Sequence, residues 1–237
     1  MISAADQKRV VASAQRWWER GVRSARFREI CSGKERGHRV ADYVEEQTLK
    51  CLTAEKYAVA FERDRRGKQL VRSMGDVWLR SGRPRICNPI NVKASVAGKK
   101  GQPNMVSLTK LTRGLVSHLI DSYWLLLIRF EENGSGYTPH VLLVNILDYL
   151  DFMHFDAGPG QIMLKSASFY QHVAGGPRPR RLSAEEAMGR LVEMRRDGNR
   201  RLTAKRARDL RALETRAKAF DPTLAVDQGK LRISAAD

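Results

Sequence analysis

The fold is decided by residues 75–96, GDVWLRSGRPRICNPINVKASV. Two runs of β-favouring residues flank the turn 81–84, SGRP, and this arrangement is typical of a β-hairpin. Because side chains alternate along a strand, Asn91 and Lys93 lie on the same face of the second strand. We therefore expect the hairpin to bring the carboxylate of Asp76 and the ammonium of Lys93 together at one of its ends.

Helices are predicted on both sides of this hairpin. Apolar residues recur at helical spacing over 4–31 and 40–52 before it, and over 105–118 after it. Two apolar runs, 123–130 and 140–146, follow and are joined by the turn sequence NGSG, which indicates a second hairpin. This order of elements predicts an α/β fold with a mixed central β-sheet flanked by helices.

The last quarter of the chain has a different character. A helical pattern over 183–220 opens with a Ser-x-x-Glu capping box and is interrupted only around Gly198. Residues 178–218 contain 14 basic and 6 acidic residues, so the positive charge is concentrated there. We expect a core with N-terminal helices over 1–176 and a basic C-terminal helical arm over 177–237, both within one domain.

The composition favours a polyanionic partner. Lys and Arg number 43 against 26 Asp and Glu, which gives a net charge of +17. Each phosphate that such a surface neutralises also releases condensed counterions, so nucleic acid is a better partner for it than a membrane surface. A general excess of arginine would raise the net charge but would not cluster it in one segment.

Several protein classes find no support in the sequence. The longest apolar run, 123–128, is far too short to cross a bilayer, and Cys31, Cys51 and Cys87 have neither disulfide-framework nor zinc-site spacing. Residues 1–14 are charged and contain no apolar signal-peptide segment. We expect a cytoplasmic protein without a membrane partner.

Asp76 and Lys93 suit the hydrolysis of phosphodiester bonds. This reaction needs a divalent cation that polarises the phosphate and activates water, and a positive group near the attacking water. Mg²⁺ takes only one or two protein carboxylates and keeps several waters. Asp76 and the backbone carbonyl of Val92 are therefore candidate Mg²⁺ ligands, with Lys93 beside them.

These residues resemble the PD-(D/E)XK nucleases, and within them the type II restriction endonucleases related to HpaI and SwaI. The resemblance covers roughly 35–190 and rests on Asp76, on 91–95 (NVKAS), on 101–104 (GQPN), on 158–165 (GPGQIMLK) and on the helical segment 37–52. It implies a restriction-endonuclease-like core, Mg²⁺ with no small-molecule cofactor, and double-stranded DNA as substrate. A palindromic site would be read by a homodimer, since its two halves require two symmetric subunits.

One position departs from the pattern of this family. Asn91 stands where a second carboxylate is usual, and its amide oxygen can bind Mg²⁺ without contributing charge. An acid from the preceding helix, Glu45 or Glu46, could take that part, and Glu46 is slightly preferred; both could instead be solvated helix charges. The expected catalytic residues are Asp76, Lys93, Asn91 and Glu46, and the expected metal ligands are Asp76, Val92, Glu46 and Glu45.

Amides and cations elsewhere are candidates for contacts with DNA. Amide side chains match adenine edges, whereas lysine and arginine match phosphates. The expected DNA-binding residues are Lys99, Lys100, Gln102, Asn104, Gln161, Arg200 and Arg201. Asn104 could instead cap a helix, and 158–165 could be no more than a turn leading into a strand.

The sequence thus favours a type II site-specific deoxyribonuclease that is Mg²⁺-dependent. Two other functions remain open: a repair or junction nuclease without base readout, and a non-catalytic nucleic-acid-binding protein in which Asn91 marks an inactive site.

Overall fold

A mixed β-sheet forms the centre of the molecule. The structure is a computed structural model that describes residues 2–32, 36–54, 59–60, 74–80, 87–96, 104–134, 136–175 and 181–219. In sheet order the strands are β1 (Val59–Ala60), β2 (Val77–Arg80), β3 (Cys87–Val96), β5 (Trp124–Asn133) and β6 (Gly136–Asn145). The pair β3–β5 is parallel and the other neighbouring pairs are antiparallel. The predicted α/β fold with a mixed sheet is confirmed, and its four longer strands belong to the two predicted hairpins.

Three helices cover one face of this sheet. They are α1 (Ala4–Gly21), α2 (Ala25–Ser32) and α3 (Arg36–Ala54). Trp18 and Phe27 pack their rings 5.4 and 4.8 Å from the ring of Phe130 on β5, and the indole N–H of Trp18 donates to Thr48 on α3. Burial of these aromatic side chains fixes α3 against β3, the strand that carries Lys93.

A second layer covers the opposite face. It contains α4 (Leu108–Val116), a 3-10 helix (Ile146–Phe152), α5 (Ser166–Gly175) and α6 (Ala184–Lys218). With them lies a small antiparallel sheet in the order β4 (Asn104–Ser107), β8 (Gln161–Leu164) and β7 (Met153–Asp156). Their apolar side chains form a separate core against Leu125 and Leu127 of β5.

The long helix α6 is packed along only part of its length. Its capping box is present as predicted: the Ser183 side chain accepts from the Glu186 N–H and the Glu186 side chain accepts from the Ser183 N–H. Ala187, Leu191 and Gly198 are buried, whereas every residue from 203 to 219 is exposed. The predicted interruption at Gly198 is wrong, because α6 runs through it; the glycine is needed where α6 crosses β7, since a Cβ there would lie 2.5 Å from the carbonyl oxygen of Phe155.

The predicted helix over 4–31 is two helices. Ser24 separates α1 from α2: its hydroxyl donates to the Gly21 carbonyl at 2.8 Å and accepts the N–H of Phe27 at 3.1 Å. A serine that satisfies a free N–H in this way starts a new helix, and the apolar spacing continues across the break.

The predicted helix over 105–118 is correct only in its second part. Residues 104–107 form β4 and pair with β8, and α4 begins at Leu108. Pairing with a strand distant in sequence overrides the local helical spacing here. Asn104 lies in this strand, so it is not a helix cap. The turn 81–84 and the loop 98–103 lie outside the described residues.

None of the helices in the described ranges combines the length and the apolarity that crossing a bilayer requires.

Candidate active site

Asp76 and Lys93 lie together where β2 begins. The antiparallel register Val77↔Ile90, extended by one residue, sets Asp76 opposite Asn91. The Asp76 N–H donates to the Ile90 carbonyl at 2.9 Å, and a carboxylate oxygen of Asp76, Oδ2, lies 3.9 Å from Nζ of Lys93. The side chains of Asp76 and Lys93 are 20% and 22% exposed, so solvent reaches the pair but does not surround it.

The backbone of Val92 faces this carboxylate. Its N–H donates to Oδ2 of Asp76 at 2.6 Å. Because the N–H and C=O of one residue point to the same side of a strand, the Val92 carbonyl also points toward Asp76. Within the described part of the chain, β2 pairs with β3 only as far as Ile90, so this side of β3 is open from Asn91 onward. The Val92 carbonyl can therefore coordinate an ion that Asp76 binds.

Burial sets the electrostatics of Asp76. It raises the pKa of this carboxyl above its ordinary value, and the Lys93 ammonium and the Val92 N–H only partly offset the shift. The ionised form is therefore costly in the protein alone. An additional cation beside Asp76 would lower its pKa again.

Glu45, rather than Glu46, lies within electrostatic range of Asp76 and Lys93. The pKa of Glu45 is raised, first by burial and then by the negative charge of Asp76, whereas Lys93 lowers it, so α3 brings its carboxyl within electrostatic range of both residues. Glu46 is 61% exposed, and its carboxylate lies 2.6 Å from Nζ of Lys50 one helical turn on. This placement does not support the preference for Glu46 that the sequence suggested.

Asn91 is held by its amide nitrogen. Nδ2 donates to the Met105 carbonyl at 2.6 Å and to the Tyr123 hydroxyl at 3.2 Å, and that hydroxyl in turn donates to the Met74 carbonyl. These bonds tie β3 both to β4 and to the segment leading into Asp76. The Met105 carbonyl and the Tyr123 hydroxyl both accept hydrogen bonds from Nδ2, so the orientation of the amide is fixed. Its oxygen, Oδ1, lies on the side away from these two groups.

The side-chain carbonyl oxygen of Asn91, Oδ1, lacks a hydrogen-bond donor among the described residues. This oxygen is also buried. A buried acceptor without a donor is costly, and such atoms in folded proteins commonly serve a bound ion or water. Position 91 thus retains an oxygen that could bind a cation, although this amide oxygen carries no negative charge.

Tyr123 was not expected from the sequence. It is fully buried directly before β5, and burial raises the pKa of its hydroxyl, so it stays protonated and can donate to the Met74 carbonyl. A sequence signal was available: a tyrosine directly before an aliphatic strand is expected to be buried, and a buried phenol needs a hydrogen-bond partner.

Gly75 allows the close approach of this segment to β3. A Cβ at this position would lie 2.9 Å from Pro89 Cβ and 3.0 Å from the Ile90 nitrogen. Contacts that short would force the backbone apart and move Asp76. A larger residue is therefore incompatible with the present position of the carboxylate.

The oxygen donors fit Mg²⁺ better than a softer metal. Among the described residues, no group of three or more His, Cys, Asp or Glu side chains is arranged to hold a metal ion. Asp76 and Glu45 offer carboxylate oxygens, and Val92 offers a backbone carbonyl. Mg²⁺ takes one or two carboxylates and retains water, so these are donors of the kind that it binds.

The expected DNA-binding residues fall into three groups. Lys99, Lys100 and Gln102 lie outside the described residues. Asn104 is exposed at the start of β4, next to the residue whose carbonyl holds Asn91, so it lies beside the site. Gln161 lies in β8 opposite Ser107, and its buried Oε1 accepts no hydrogen bond from any described residue.

The two arginines of α6 lie in the second layer. Arg200 is 81% exposed and lies 3.6 Å from Asp197, whereas Arg201 donates to the Phe155 carbonyl at 3.3 Å. Arg201 thus also helps to hold α6 against β7.

No known protein family matches the chain, and no curated protein is significantly similar to it.

Proposed function

We propose that this protein is a Mg²⁺-dependent endonuclease that hydrolyses phosphodiester bonds of double-stranded DNA, built on a restriction-endonuclease-like core. One observation carries the proposal: a partly buried Asp76 and Lys93 lie 3.9 Å apart, with Glu45 within electrostatic range of both. Two partly buried carboxyls with raised pKa values, beside a lysine, are characteristic of a site that binds a cation and an anionic substrate.

Each side chain has a distinct part in the proposed reaction. Asp76 and Glu45 would hold Mg²⁺ together with the Val92 carbonyl, and the Val92 N–H fixes the orientation of Asp76. When bound, Mg²⁺ polarises the phosphate and lowers the pKa of water. Lys93 stabilises the negative charge that develops as water attacks, and it orients that water by hydrogen bonding. Asn91 positions β3 through Tyr123.

Sequence-specific cleavage, the type II restriction activity, is the form of this function that we propose. The exposed amide of Asn104 stands beside the site, at the end of the segment that also carries Lys99, Lys100 and Gln102. Amides there could read base edges while Arg200 and Arg201 contact phosphates. A palindromic target would then be cut by a homodimer.

Digestion of DNA tests the proposal. Purified protein is incubated with a mixture of unmethylated plasmids, in Mg²⁺ and in a matched reaction with EDTA, and the ends of the fragments are mapped. Discrete fragments that appear only with Mg²⁺, and whose ends share one palindromic sequence, are expected. A smear would instead indicate a nuclease without base readout, and intact DNA that is nevertheless retarded in a gel would indicate a binding protein without catalysis.

A further inference from the structure

A row of polar side chains continues across the central sheet from Lys93. Residues that pair in a sheet point to the same face, and the register sets Ser95 beside Arg129 and Arg129 beside His140. Lys93 lies two residues before Ser95 on β3, so it points to this face as well. We call Lys93, Ser95, Arg129 and His140 the polar row. It begins at the candidate active site and crosses β3, β5 and β6.

The polar row lies where the apolar core of this face ends. Leu127, two residues before Arg129, is buried in the core of the second layer, and its partner Leu142 on β6 packs against that core. Beyond these leucines, Arg129 and His140 are half-buried, and the side chain of Arg129 is 23% exposed. An arginine at such a border packs its aliphatic stem on the core and keeps its charged end near water.

Two neighbours hold the guanidinium of Arg129 in place. Its Cζ atom lies 3.8 Å from the centre of the Tyr170 ring on α5, and its Nε atom lies 3.4 Å from a carboxylate oxygen of Glu131. The other carboxylate oxygen of Glu131 lies 3.3 Å from Nε2 of His140. A guanidinium that is stacked on a ring and flanked by a carboxylate loses little further freedom when it binds an anion.

These neighbours leave hydrogen-bonding capacity in the guanidinium. Nε of Arg129 is buried, and no described residue accepts a hydrogen bond from it, because the contact with Glu131 has ion-pair distance without hydrogen-bond geometry. The N–H donors of arginine form a planar fork that matches two oxygens of a phosphate. A buried donor without an acceptor is costly, and a bound anion could supply the acceptor.

Arg129 also lies close to the residue that we expect to contact the reacting phosphate. Lys93 pairs with Leu127 in parallel register, and Arg129 is two residues further along β5. With strands about 4.8 Å apart and a rise of about 3.3 Å per residue, the Cα atoms of Lys93 and Arg129 are separated by about 8 Å. One strand of DNA carries a phosphate about every 3.4 Å of helix axis, so a neighbour of the phosphate at Lys93 comes within reach of the Arg129 side chain.

We propose that Arg129 binds a phosphate of the substrate strand next to the one that is cut, while Tyr170 and Glu131 orient its guanidinium. This inference rests on the nuclease function proposed above, and it makes the polar row the path of that strand across the sheet. In the free protein Glu131 balances the charge of Arg129. A phosphate must compete with Glu131 for this cation, so Glu131 lowers the affinity for DNA more than an acid of equal charge elsewhere.

Two matched pairs of variants test the role of Arg129. Arg129→Met keeps a long apolar side chain over Tyr170 but removes the charge, and Arg26→Met removes the same charge from α2, on the opposite face of the sheet. Glu131→Gln removes the negative charge beside Arg129, and Glu132→Gln removes it from the next residue, which points to the other face. The affinity of each protein for a DNA duplex is measured by fluorescence anisotropy in Ca²⁺ over a series of salt concentrations, and thermal denaturation verifies that each variant is folded.

Arg129→Met should raise the dissociation constant by about 10-fold or more and reduce the slope of log K against log salt by about 0.9, which corresponds to one phosphate contact. Arg26→Met should change neither quantity. Arg129→Lys should restore the slope but not the full affinity, because lysine keeps the charge without the planar fork. Glu131→Gln should bind DNA more tightly than Glu132→Gln by about 3-fold, since only Glu131 competes with the phosphate.

An unchanged slope in Arg129→Met overturns the proposal, and so does an equal change in Arg26→Met. Equal affinities of Glu131→Gln and Glu132→Gln also overturn it, and this pair gives the answer if Arg129→Met does not fold. Cleavage by the unsubstituted protein in Mg²⁺ is measured separately. Binding that depends on Arg129 without any cleavage would contradict the nuclease function and keep the phosphate contact, whereas cleavage with binding that is independent of Arg129 would contradict the phosphate contact alone.

Discussion

At the scale of single residues, the site contains an electrostatic conflict. Asp76 and Glu45 are partly buried carboxyls, and burial raises the pKa of each. Lys93 offsets only part of this shift. Groups placed at such a cost usually serve function rather than stability, and in the proposed function the conflict is relieved when Mg²⁺ binds.

Glu45→Gln should stabilise the metal-free protein. A carboxyl whose folded-state pKa is raised favours the folded state while protonated, and this contribution is lost as the pH rises through the folded pKa. At neutral pH the ionised Glu45 therefore destabilises the fold, and the neutral amide removes that effect. Thermal denaturation in EDTA at neutral pH should show a higher Tm for Glu45→Gln, and the difference should shrink as the pH is lowered toward the acidic range.

The same variant should lose activity. Cleavage in Mg²⁺ should fall by about 10²–10³-fold, the order of loss when a group that serves the transition state is removed. Glu46→Gln is the matched control, because it breaks only an exposed pair with Lys50, worth about 0.3–0.5 kcal/mol. Equal losses of activity in Glu45→Gln and Glu46→Gln would remove Glu45 from the site.

At the scale of elements, local pattern predicted most of the fold. The strands β2, β3, β5 and β6 and the helix α3 follow from the periodicity and turn residues of their own segments. The segment 104–107 does not, since it becomes a strand only by pairing with β8. The sequence predicts a break at Gly198, because it does not show that Phe155 approaches α6 there.

The sequence predicted part of the candidate site, as it predicted part of the fold. The register of one hairpin was enough to predict that Asp76 and Lys93 lie close together, and the structure has them 3.9 Å apart. The choice between Glu45 and Glu46 depends on how α3 is rotated against β3, and neighbouring residues in one helix cannot be ranked without that rotation. Tyr123 depends on contacts between segments far apart in sequence.

Gly198→Ala should loosen the packing of α6 on β7. The added Cβ would lie 2.5 Å from the Phe155 carbonyl oxygen and 2.6 Å from its ring. Relief of such contacts requires a shift of the helix, so the free energy of unfolding should fall by about 1–3 kcal/mol. Urea denaturation followed by circular dichroism measures this change.

Gly189→Ala provides the control on the same helix. Nothing lies within 4 Å of a Cβ at Gly189, and alanine is the better helix former, so this variant should gain about 0.5–1 kcal/mol. Opposite signs for the two substitutions are expected. Stabilisation by both would mean that α6 does not approach β7 so closely.

At the scale of the whole molecule, the distribution of positive charge indicates where contacts with DNA are expected. The net charge of +17 is concentrated toward the C-terminal part of the sequence, and residues 199–218 of α6 include eight of the basic residues. The proposed site residues lie on α3, on β3 and directly before β2, whereas these basic residues lie on α6. A DNA duplex that reaches the site could therefore gain most of its sequence-independent affinity at a distance from the reacting phosphate.

Neutralising Arg200 and Arg201 should weaken DNA binding equally for all sequences. Each phosphate contact that is lost should reduce the slope of log K against log salt by about 0.9, so Arg200→Ala with Arg201→Ala should reduce it by about 1–2. Fluorescence anisotropy over a series of salt concentrations measures the slope. Arg26→Ala, on the opposite face of the sheet, is the control, and an unchanged slope in the double variant would exclude the two arginines from the interface.

The most direct measurement compares cleavage with binding at the proposed site. Single-turnover cleavage in Mg²⁺ and DNA affinity in Ca²⁺ are determined for Asp76→Ala, Lys93→Ala and the exposed-lysine control Lys8→Ala. We expect both site variants to lose at least about 10²–10³-fold in cleavage rate while retaining affinity, and Lys8→Ala to keep both. Full-rate cleavage by either site variant would contradict the assignment of catalysis to the Asp76–Lys93 pair.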